Sequence, residues 1–277
     1  MSVRSSHPPN AAVGTRESTR LLFNHIAEHC DLPPLPAAAA RAIALARDLD
    51  TTTDDLARVV QSDAPLAARV LRISRSVTYL RRQPPRTLKE AIVTVGFQGL
   101  RKILITASAR ASYRADDDVA GTLWAHALAT AFAADEITKS RGGLASGDAF
   151  IAGLLHDIGK LVFHLADPDA FRRLAGSDLS LEEEVFGAGH AAVGACLAEL
   201  WGLEDDLVMA IMFHHEGHEI SPLAACVAHA DGSATRIGHG SVPGPLPPAQ
   251  TAEDDEESRA LDERVRALFE SERKLFD

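Results

Sequence analysis

Apolar residues recur every three to four positions along most of the chain, which is the spacing of one buried helix face. Alternation with a period of two, which marks a half-buried strand, is scarce, and β-branched residues are thinly spread. The pattern predicts helices over residues 21–30, 36–49, 53–61, 65–74, 87–95, 98–112, 118–140, 146–164, 168–175, 190–201, 204–214 and 221–235. The sequence therefore predicts an all-α fold.

The same pattern divides the chain into five parts. Residues 1–17 are rich in Ser, Pro, Gly and Asn, which predicts a mobile segment. Residues 18–115 predict an N-terminal helical bundle, and residues 116–237 predict a second helical core. Residues 238–257 are Pro/Gly-rich and then acidic, as in a linker. Residues 258–277 predict an amphipathic helix that docks on the body, with a partner-binding or dimer helix as the alternative.

Composition narrows the functional classes. Alanine and leucine dominate a chain of 277 residues with 46% hydrophobic and only 5% aromatic residues, which favours closely packed helices. The net charge of −11 argues against an electrostatic grip on nucleic acid or on anionic lipid. Local basic clusters such as Arg101-Lys102 are interpreted as solvated helix faces.

Cysteine usage and hydropathy indicate a cytoplasmic protein that does not enter a membrane. Cys30, Cys196 and Cys226 are far apart and lack CxxC spacing, which is typical of buried thiols in a reducing compartment. The first 20 residues contain no apolar stretch of a signal peptide. No apolar run reaches 18 residues, because His, Asp or Lys interrupts each candidate.

The run from Gly153 to Lys160, Gly-Leu-Leu-His-Asp-Ile-Gly-Lys, contains the most informative chemistry. His156 and Asp157 place an imidazole and a carboxylate about 100° apart on one helical turn. Burying such a pair is costly without a partner, and a divalent cation would supply one. Lys160 lies within one helical turn of both and could hold a phosphate oxygen as a point charge.

Other candidate ligands lie on separate apolar segments of the second helical core. They are His126, His190, His214, His215 and Asp231. A single histidine on an apolar face is usually a core residue, but packing alone does not explain this combination. Two interpretations stay open, a metal site and a degenerate polar pocket.

The order of these residues along the chain resembles that of the HD superfamily of metal-dependent phosphohydrolases. Residues 22–233 resemble more specifically the HDOD family, through the runs 32–36, 63–74 and 91–101. Arg75-Ser76 stands where that family usually has Asn-Ser. The resemblance implies an all-helical region before an HD-like helical core, and a bacterial signalling output that recruits protein partners.

The resemblance also implies the ligand sets. His126, His156, Asp157 and Asp231 would hold one ion, while His190, His214 and His215 would hold a second, with Asp157 bridging. Such nitrogen and oxygen ligation suits Fe, Mn, Zn or Ni. Asp157 and Lys160 are then the predicted catalytic residues, because two adjacent ions would clamp a phosphoester beside the lysine.

Two functions are therefore favoured, and a third is disfavoured. The first is a signal-transduction output protein that acts through protein contacts with signalling partners, with a homodimer as an open alternative. The second is a metal-dependent phosphohydrolase for a nucleotide or another phosphoester. Gly217-His218-Glu219 replaces the Gly-Tyr-Pro stretch of cyclic-di-GMP phosphodiesterases, and Thr122 supplies no extra carboxylate. A third hypothesis is DNA binding by the N-terminal helices, but the negative net charge of the chain argues against it.

Overall fold

The computed structural model describes residues 21, 35, 37–45, 48, 50–79, 83–113, 117–141, 144, 146–174, 179–216, 220–241 and 256–276. The described chain is helical and contains no β-strand, which confirms the all-α prediction. The predicted mobile segment 1–17 lies outside the described residues. So do most of the predicted helix 21–30 and residues 242–255 of the predicted linker.

The described residues of the N-terminal part form four helices and one short 3₁₀ turn. They are α1 (Ala37–Leu45), α2 (Thr53–Gln61), α3 (Ala64–Ile73), the 3₁₀ turn Val77–Tyr79, and α4 (Leu88–Ser112). Thr52 begins α2 with a capping box to Asp55, and Asp63 accepts a hydrogen bond from the Leu66 amide at the start of α3. These caps satisfy backbone donors that a helix start otherwise leaves unpaired.

A glycine bends α4. Gly96 has φ +70° and ψ 176°, a conformation that a residue with a Cβ rarely adopts. The prediction of two segments, 87–95 and 98–112, matches this break. Helix α4 packs against α1, α2 and α3 and also reaches the second half of the chain, so it joins the two parts.

The second part carries the candidate site, and its described residues form eight helices. They are α5 (Asp118–Arg141), α6 (Ser146–Leu155), α7 (Ile158–Ala166), α8 (Pro168–Arg173), α9 (Leu179–Phe186), α10 (His190–Leu200), α11 (Asp205–Met212) and α12 (Pro222–Arg236). Helix α5 packs against α6 and α12 and is buried along most of its length. One continuous hydrophobic core runs through both parts.

The prediction of a single helix over residues 146–164 is wrong. Helix α6 ends at Leu155 and α7 begins at Ile158, so His156 and Asp157 form the turn between two helices. Asp157 has φ −102° and ψ 12° at the start of α7, but its side chain caps no backbone amide. The turn instead directs this carboxylate into the interior.

The terminal helix α13 (Glu256–Phe276) docks on the body, as expected from its apolar stripe. Leu261, Val265, Phe269 and Phe276 are buried on one face. The ring of Phe276 lies 5.7 Å from that of Phe132, in an edge-to-face arrangement typical of aromatic pairs. Helix α13 is thus part of the core of this chain.

Arg101 and Lys102 correct the interpretation of their cluster as a solvated helix face. The Arg101 side chain is only 6% exposed and forms ion pairs with Asp148 (2.5 Å) and Glu204. Lys102 is paired with Asp135 in the interior. A buried charge is tolerable when it is paired and hydrogen-bonded, so these two cations join α4 to α5, α6 and the start of α11.

One stretch, Gly147–Ala166, is long and apolar enough to cross a membrane by length and composition. Its mean hydropathy is 1.4, but 83% of it is buried inside the protein. It contains α6, the His156–Asp157 turn and α7. Such burial is typical of a core segment.

Candidate metal centre

The seven predicted ligands come from five segments and meet in one place. His126 lies on α5, His156 and Asp157 form the α6–α7 turn, and His190 is the first residue of α10. His214 and His215 follow α11, and Asp231 lies on α12. Two groups of ligand atoms, each within 4.8 Å of one another, contain six of the seven residues. Asp231 joins the first group, since its Oδ1 lies 3.3 Å from His126 Nε2.

The carboxylate of Asp157 lies between the two groups and presents one oxygen to each. Its Oδ2 lies 3.3 Å from His126 Nε2 and 3.5 Å from His156 Nε2. Its Oδ1 lies 3.0 Å from His190 Nε2 and 3.6 Å from His214 Nε2. This arrangement is the one that a bridging carboxylate requires.

In the first group, backbone carbonyls determine which ring nitrogen carries the proton. His126 Nδ1 donates to the carbonyl of His239 (2.8 Å), and His156 Nδ1 donates to the carbonyl of Gly153 (2.9 Å). A carbonyl only accepts, so each neutral ring keeps its proton on Nδ1. The two Nε2 lone pairs then face each other at 3.1 Å, beside Asp157.

The second group is oriented in the same way. His214 Nδ1 donates to the carbonyl of Ile211 (2.8 Å), and His190 Nδ1 donates to the carboxylate of Glu182 (2.6 Å). Their Nε2 atoms lie 3.4 Å apart and face Asp157. Metal-binding histidines in proteins are held by just such acceptors on the nitrogen that does not bind the ion.

Lone pairs that converge at this distance repel one another unless a cation lies between them. Nitrogen and oxygen atoms that share one ion in a near-tetrahedral site, at bond lengths of about 2.0–2.2 Å, lie roughly 3 to 3.6 Å apart. The separations in this cluster, from 3.0 to 3.6 Å, fall in that range. Asp157 Oδ1 is buried without a hydrogen-bond partner, which is costly without an ion. The residues therefore fit a divalent cation.

Burial keeps two of the inner histidines neutral. It lowers the pKa of His156 to about 4, and it lowers that of His214 well below the usual value, with His156 and His215 adding to the effect. At His126 burial acts in the same direction, but Asp157 and Asp231 reverse it and raise the pKa. Neutral imidazole is the form that binds metal.

Lys160 completes the charge balance around Asp157. Its Nζ donates to Asp157 Oδ2 at 2.7 Å and to Ser241 Oγ at 2.9 Å. Burial would raise the pKa of Asp157, but Lys160 and the neighbouring histidines hold it well below its usual range. Asp157 is thus ionised at neutral pH.

A glycine allows the close approach of α7 and α10. A Cβ on Gly159 would lie 2.0 Å from the carbonyl oxygen of His190, a distance that no packing tolerates. A Cβ on Gly194 would lie 3.2 Å from Ile158 Cγ2. The Ile-Gly-Lys sequence after Asp157 therefore brings His190 within reach of Asp157.

The site is closed inside and open on one side. His126, His156, His190 and His214 are each at most 1% exposed. His215 is exposed, and the side chain of Asp231 is 33% exposed. A small molecule could therefore approach from the side of His215 and Asp231.

Comparison with known families gives a clear match. The HDOD domain matches residues 32–217, which is more than half of the chain. The chain belongs to the HDOD family. Six of the seven candidate ligands lie inside the HDOD match, while Asp231 and helix α13 lie beyond its end.

Two curated relatives share part of this HDOD chain. An uncharacterised protein from Treponema pallidum (strain Nichols) is 28% identical over 236 residues, which are 81% of this chain and 46% of that protein. Ribonuclease Y of Fervidobacterium nodosum is 32% identical over 152 residues, which are 54% of this chain and 25% of the enzyme. The chain thus spans about half the length of the first relative and about a quarter of the second.

Solved structures have the same fold. An HDOD domain protein of unknown function from Geobacter sulfurreducens superposes with a TM-score of 0.70 at 25% identity, covering 94% of this chain and 96% of that one. A Marinobacter aquaeolei VT8 protein, provisionally assigned to signal transduction, gives a TM-score of 0.73 at 22% identity, covering 98% and 67%. At the latter identity the likeness concerns the fold alone.

Sequence reasoning missed the residues that orient the HDOD histidines. Glu182, on α9, accepts hydrogen bonds from the ring and the backbone amide of His190. The signal available in the sequence was only a glutamate eight positions before a candidate ligand. The carbonyls of Gly153 and His239 leave no trace in the sequence, because every residue has one.

Proposed function

We propose that the chain is a bacterial HDOD signal-transduction output protein with a divalent transition-metal centre in its HD-like core. The observation that carries the proposal is the orientation of four buried histidines whose Nε2 atoms converge on Asp157. Without a cation, folding would have to bury these polar groups and bring their lone pairs together, and both raise the free energy of the folded state. The mixed nitrogen and oxygen ligands suit Fe, Mn, Zn or Ni, in one or two ions.

The signalling part of the proposal rests on family membership. The chain belongs to the HDOD family, and a protein of the same fold is provisionally assigned to signal transduction. We infer that the output runs through helical surfaces that contact signalling protein partners in the cytoplasm. The metal centre would hold α5, α7, α10 and α12 in one arrangement and so keep those surfaces in shape.

A second function, hydrolysis of a phosphoester or nucleotide, is favoured by the open side of the site. Structural metal sites are usually closed by protein ligands, whereas catalytic sites keep one position accessible. Ions bound here would polarise a phosphoester and lower the pKa of water. Asp157 would position them, and Lys160 would hold a phosphate oxygen through its ammonium group. The similarity of part of the chain to ribonuclease Y, whose name denotes cleavage of a phosphoester, supports this second function.

Elemental mass spectrometry of untagged protein tests the metal centre. We expect about one to two equivalents per chain in the wild type and loss of metal in Asp157→Ala. Asp262→Ala is the matched control, because that carboxylate also forms a partly buried ion pair, with Arg236 at 2.8 Å, but is not a candidate ligand. Absence of metal from the wild type, even after reconstitution, would overturn the metal centre.

Lys160→Ala separates the two functions, because it leaves all seven candidate ligands in place. If the output runs through protein contacts, this variant keeps its metal and restores the phenotype of a host strain that lacks the gene. If the output requires phosphoester chemistry, the variant keeps its metal but does not restore the phenotype. Hydrolysis of bis-p-nitrophenyl phosphate, measured on both proteins, gives the independent readout.

A further inference from the structure

The chain segment after α12 returns to the candidate metal centre. We call His239, Gly240 and Ser241 the return segment. The carbonyl of His239 accepts from His126 Nδ1 at 2.8 Å, and Ser241 Oγ accepts from Lys160 Nζ at 2.9 Å. The return segment therefore touches both a candidate ligand and the lysine beside it.

Among the residues that the structure describes, the hydrogen bonds around Lys160 leave two donors for a ligand. An ammonium group has three N–H donors, and here one is directed to Asp157 and one to Ser241. Because Ser241 Oγ accepts from Lys160, its own hydroxyl proton is left to donate elsewhere. The third N–H of Lys160 and the O–H of Ser241 are thus adjacent donors beside Asp157.

The surroundings favour an anion at these two donors. The Lys160 side chain is 12% exposed and Ser241 is half-buried, so solvent reaches the pair. The carboxylate of Asp157 is already shared between Lys160 and the histidine groups. A cation in the centre would add positive charge next to the two donors. Hydrogen bonds to a charged acceptor are stronger than neutral ones.

We propose that Ser241 and Lys160 form an oxyanion-binding pair that holds one phosphate oxygen of a ligand at the metal centre. This inference rests on the metal centre proposed above and specifies a phosphate-bearing ligand for it. Ser241 is then a ligand-contacting residue beyond residue 217, where the HDOD match ends. Membership in the family therefore does not predict it.

The return segment also connects this pair to α13. The imidazole of His239 packs on the ring of Phe269 with 4.1 Å between centroids. Gly238, with φ +99°, turns the chain out of α12, and the His239 amide donates to the carbonyl of Ala234 at 2.9 Å. The position of the Ser241 hydroxyl thus depends on the docking of the terminal helix.

Isothermal titration with inorganic phosphate tests the pair, on protein whose metal content has been measured. We expect Ser241→Ala to weaken phosphate binding about tenfold, the effect of one hydrogen bond to a charged group. Ser241→Thr keeps the hydroxyl and restores binding, and Lys160→Ala weakens it further. Ser271→Ala is the matched control, since that exposed hydroxyl bonds only within α13, to the carbonyl of Leu268.

Two results would overturn the pair. One is wild-type affinity for phosphate, or a higher affinity, in Ser241→Ala with unchanged metal content, because the hydroxyl would then merely cover Lys160. The other is metal-loaded wild type that binds no phosphate. Wild-type protein that binds no metal would instead refute the metal centre. In that case the ratio of the phosphate affinities of wild type and Ser241→Ala, both measured without metal, would still decide the role of Ser241.

Discussion

Glu182 accepts two hydrogen bonds from the same residue, His190, through a single oxygen. Its Oε2 lies 2.6 Å from the ring Nδ1 and 2.8 Å from the backbone nitrogen of His190. His190 begins α10, so the carboxylate also meets the partial positive charge of a helix N-terminus. One buried glutamate thus determines the start of a helix and the tautomer of its first side chain.

We predict that Glu182→Ala weakens metal binding about 10- to 100-fold, the range observed when the acceptor behind a metal-binding histidine is removed. His190 would lose the partner that keeps its proton on Nδ1 and its Nε2 directed at Asp157. Competition with a chromogenic chelator measures the change. Glu183→Ala, at an exposed position on the same helix, is the control and should bind as the wild type does. Equal affinities in both variants would contradict the role given to Glu182.

Alanine substitutions at two glycines should change the free energy of unfolding in opposite directions. Gly159→Ala places a Cβ 2.0 Å from the backbone carbonyl of His190, so α7 and α10 must separate. We expect a loss of about 3 kcal/mol or more in the free energy of unfolding. Gly121→Ala, inside α5 with no atom near the added Cβ, should stabilise by about 0.5–1 kcal/mol. Urea unfolding followed by circular dichroism measures both, and a Gly159→Ala variant as stable as Gly121→Ala would refute the close approach.

Arg101 should be much more important for stability than a surface arginine. Arg101→Met leaves Asp148 and Glu204 without their shared cation, and both carboxylates are partly solvated. We therefore expect about 1.5–3 kcal/mol of destabilisation, the range for hydrogen bonds to charged groups, because neither remaining charge stays buried. Arg58→Met removes a pair with Asp55 in which the arginine is 74% exposed, and it should cost less than about 1 kcal/mol. Thermal unfolding of both variants is the measurement.

Cys226 should react slowly with alkylating reagents in the folded protein. Burial raises the pKa of its thiol to about 11, so almost no thiolate is present at neutral pH. Peptide-resolved mass spectrometry after iodoacetamide treatment at about pH 8 should show modification of the half-buried Cys196 first. In urea the two rates should become equal. Preferential modification of Cys226 in the folded protein would contradict its burial.

The same pKa gives a stability change with a definite sign. The folded state keeps the Cys226 proton up to about pH 11, whereas the unfolded thiol loses it near its ordinary value of 9.0. Stability therefore falls as the pH rises from about 9 to 11, because ionisation favours the unfolded chain. Cys226→Ala should show a shallower decline over that range than the wild type.

The sequence was sufficient for the fold class and for the residues that meet at the centre. Helical periodicity is strong in an alanine- and leucine-rich chain, and His156-Asp157 stands out within an apolar run. His190 and Asp231 could be predicted as ligands because the order of the candidate residues along the chain resembles that of the HD superfamily. Their ligation of a metal stays a prediction, which elemental analysis will decide.

Other features could not be predicted from the sequence, for identifiable physical reasons. The break between α6 and α7 was missed because Leu155 and Ile158 continue the apolar pattern across the turn. The buried pairing of Arg101 was missed because its partners Asp148 and Glu204 are distant in sequence. Ser241 was assigned to a linker, since its run of Pro and Gly carries no periodicity.

The seven residues of the centre are spread from α5 to α12, with a helix or a long turn between most neighbours in the sequence. During synthesis from the N-terminus, the last of them, Asp231, leaves the ribosome only after most of the chain has emerged. Until then the earlier histidines have no complete set of companions. A nascent chain, or one that terminates before residue 231, therefore cannot assemble the full cluster, so the complete ligand set is present only in chains that extend past Asp231.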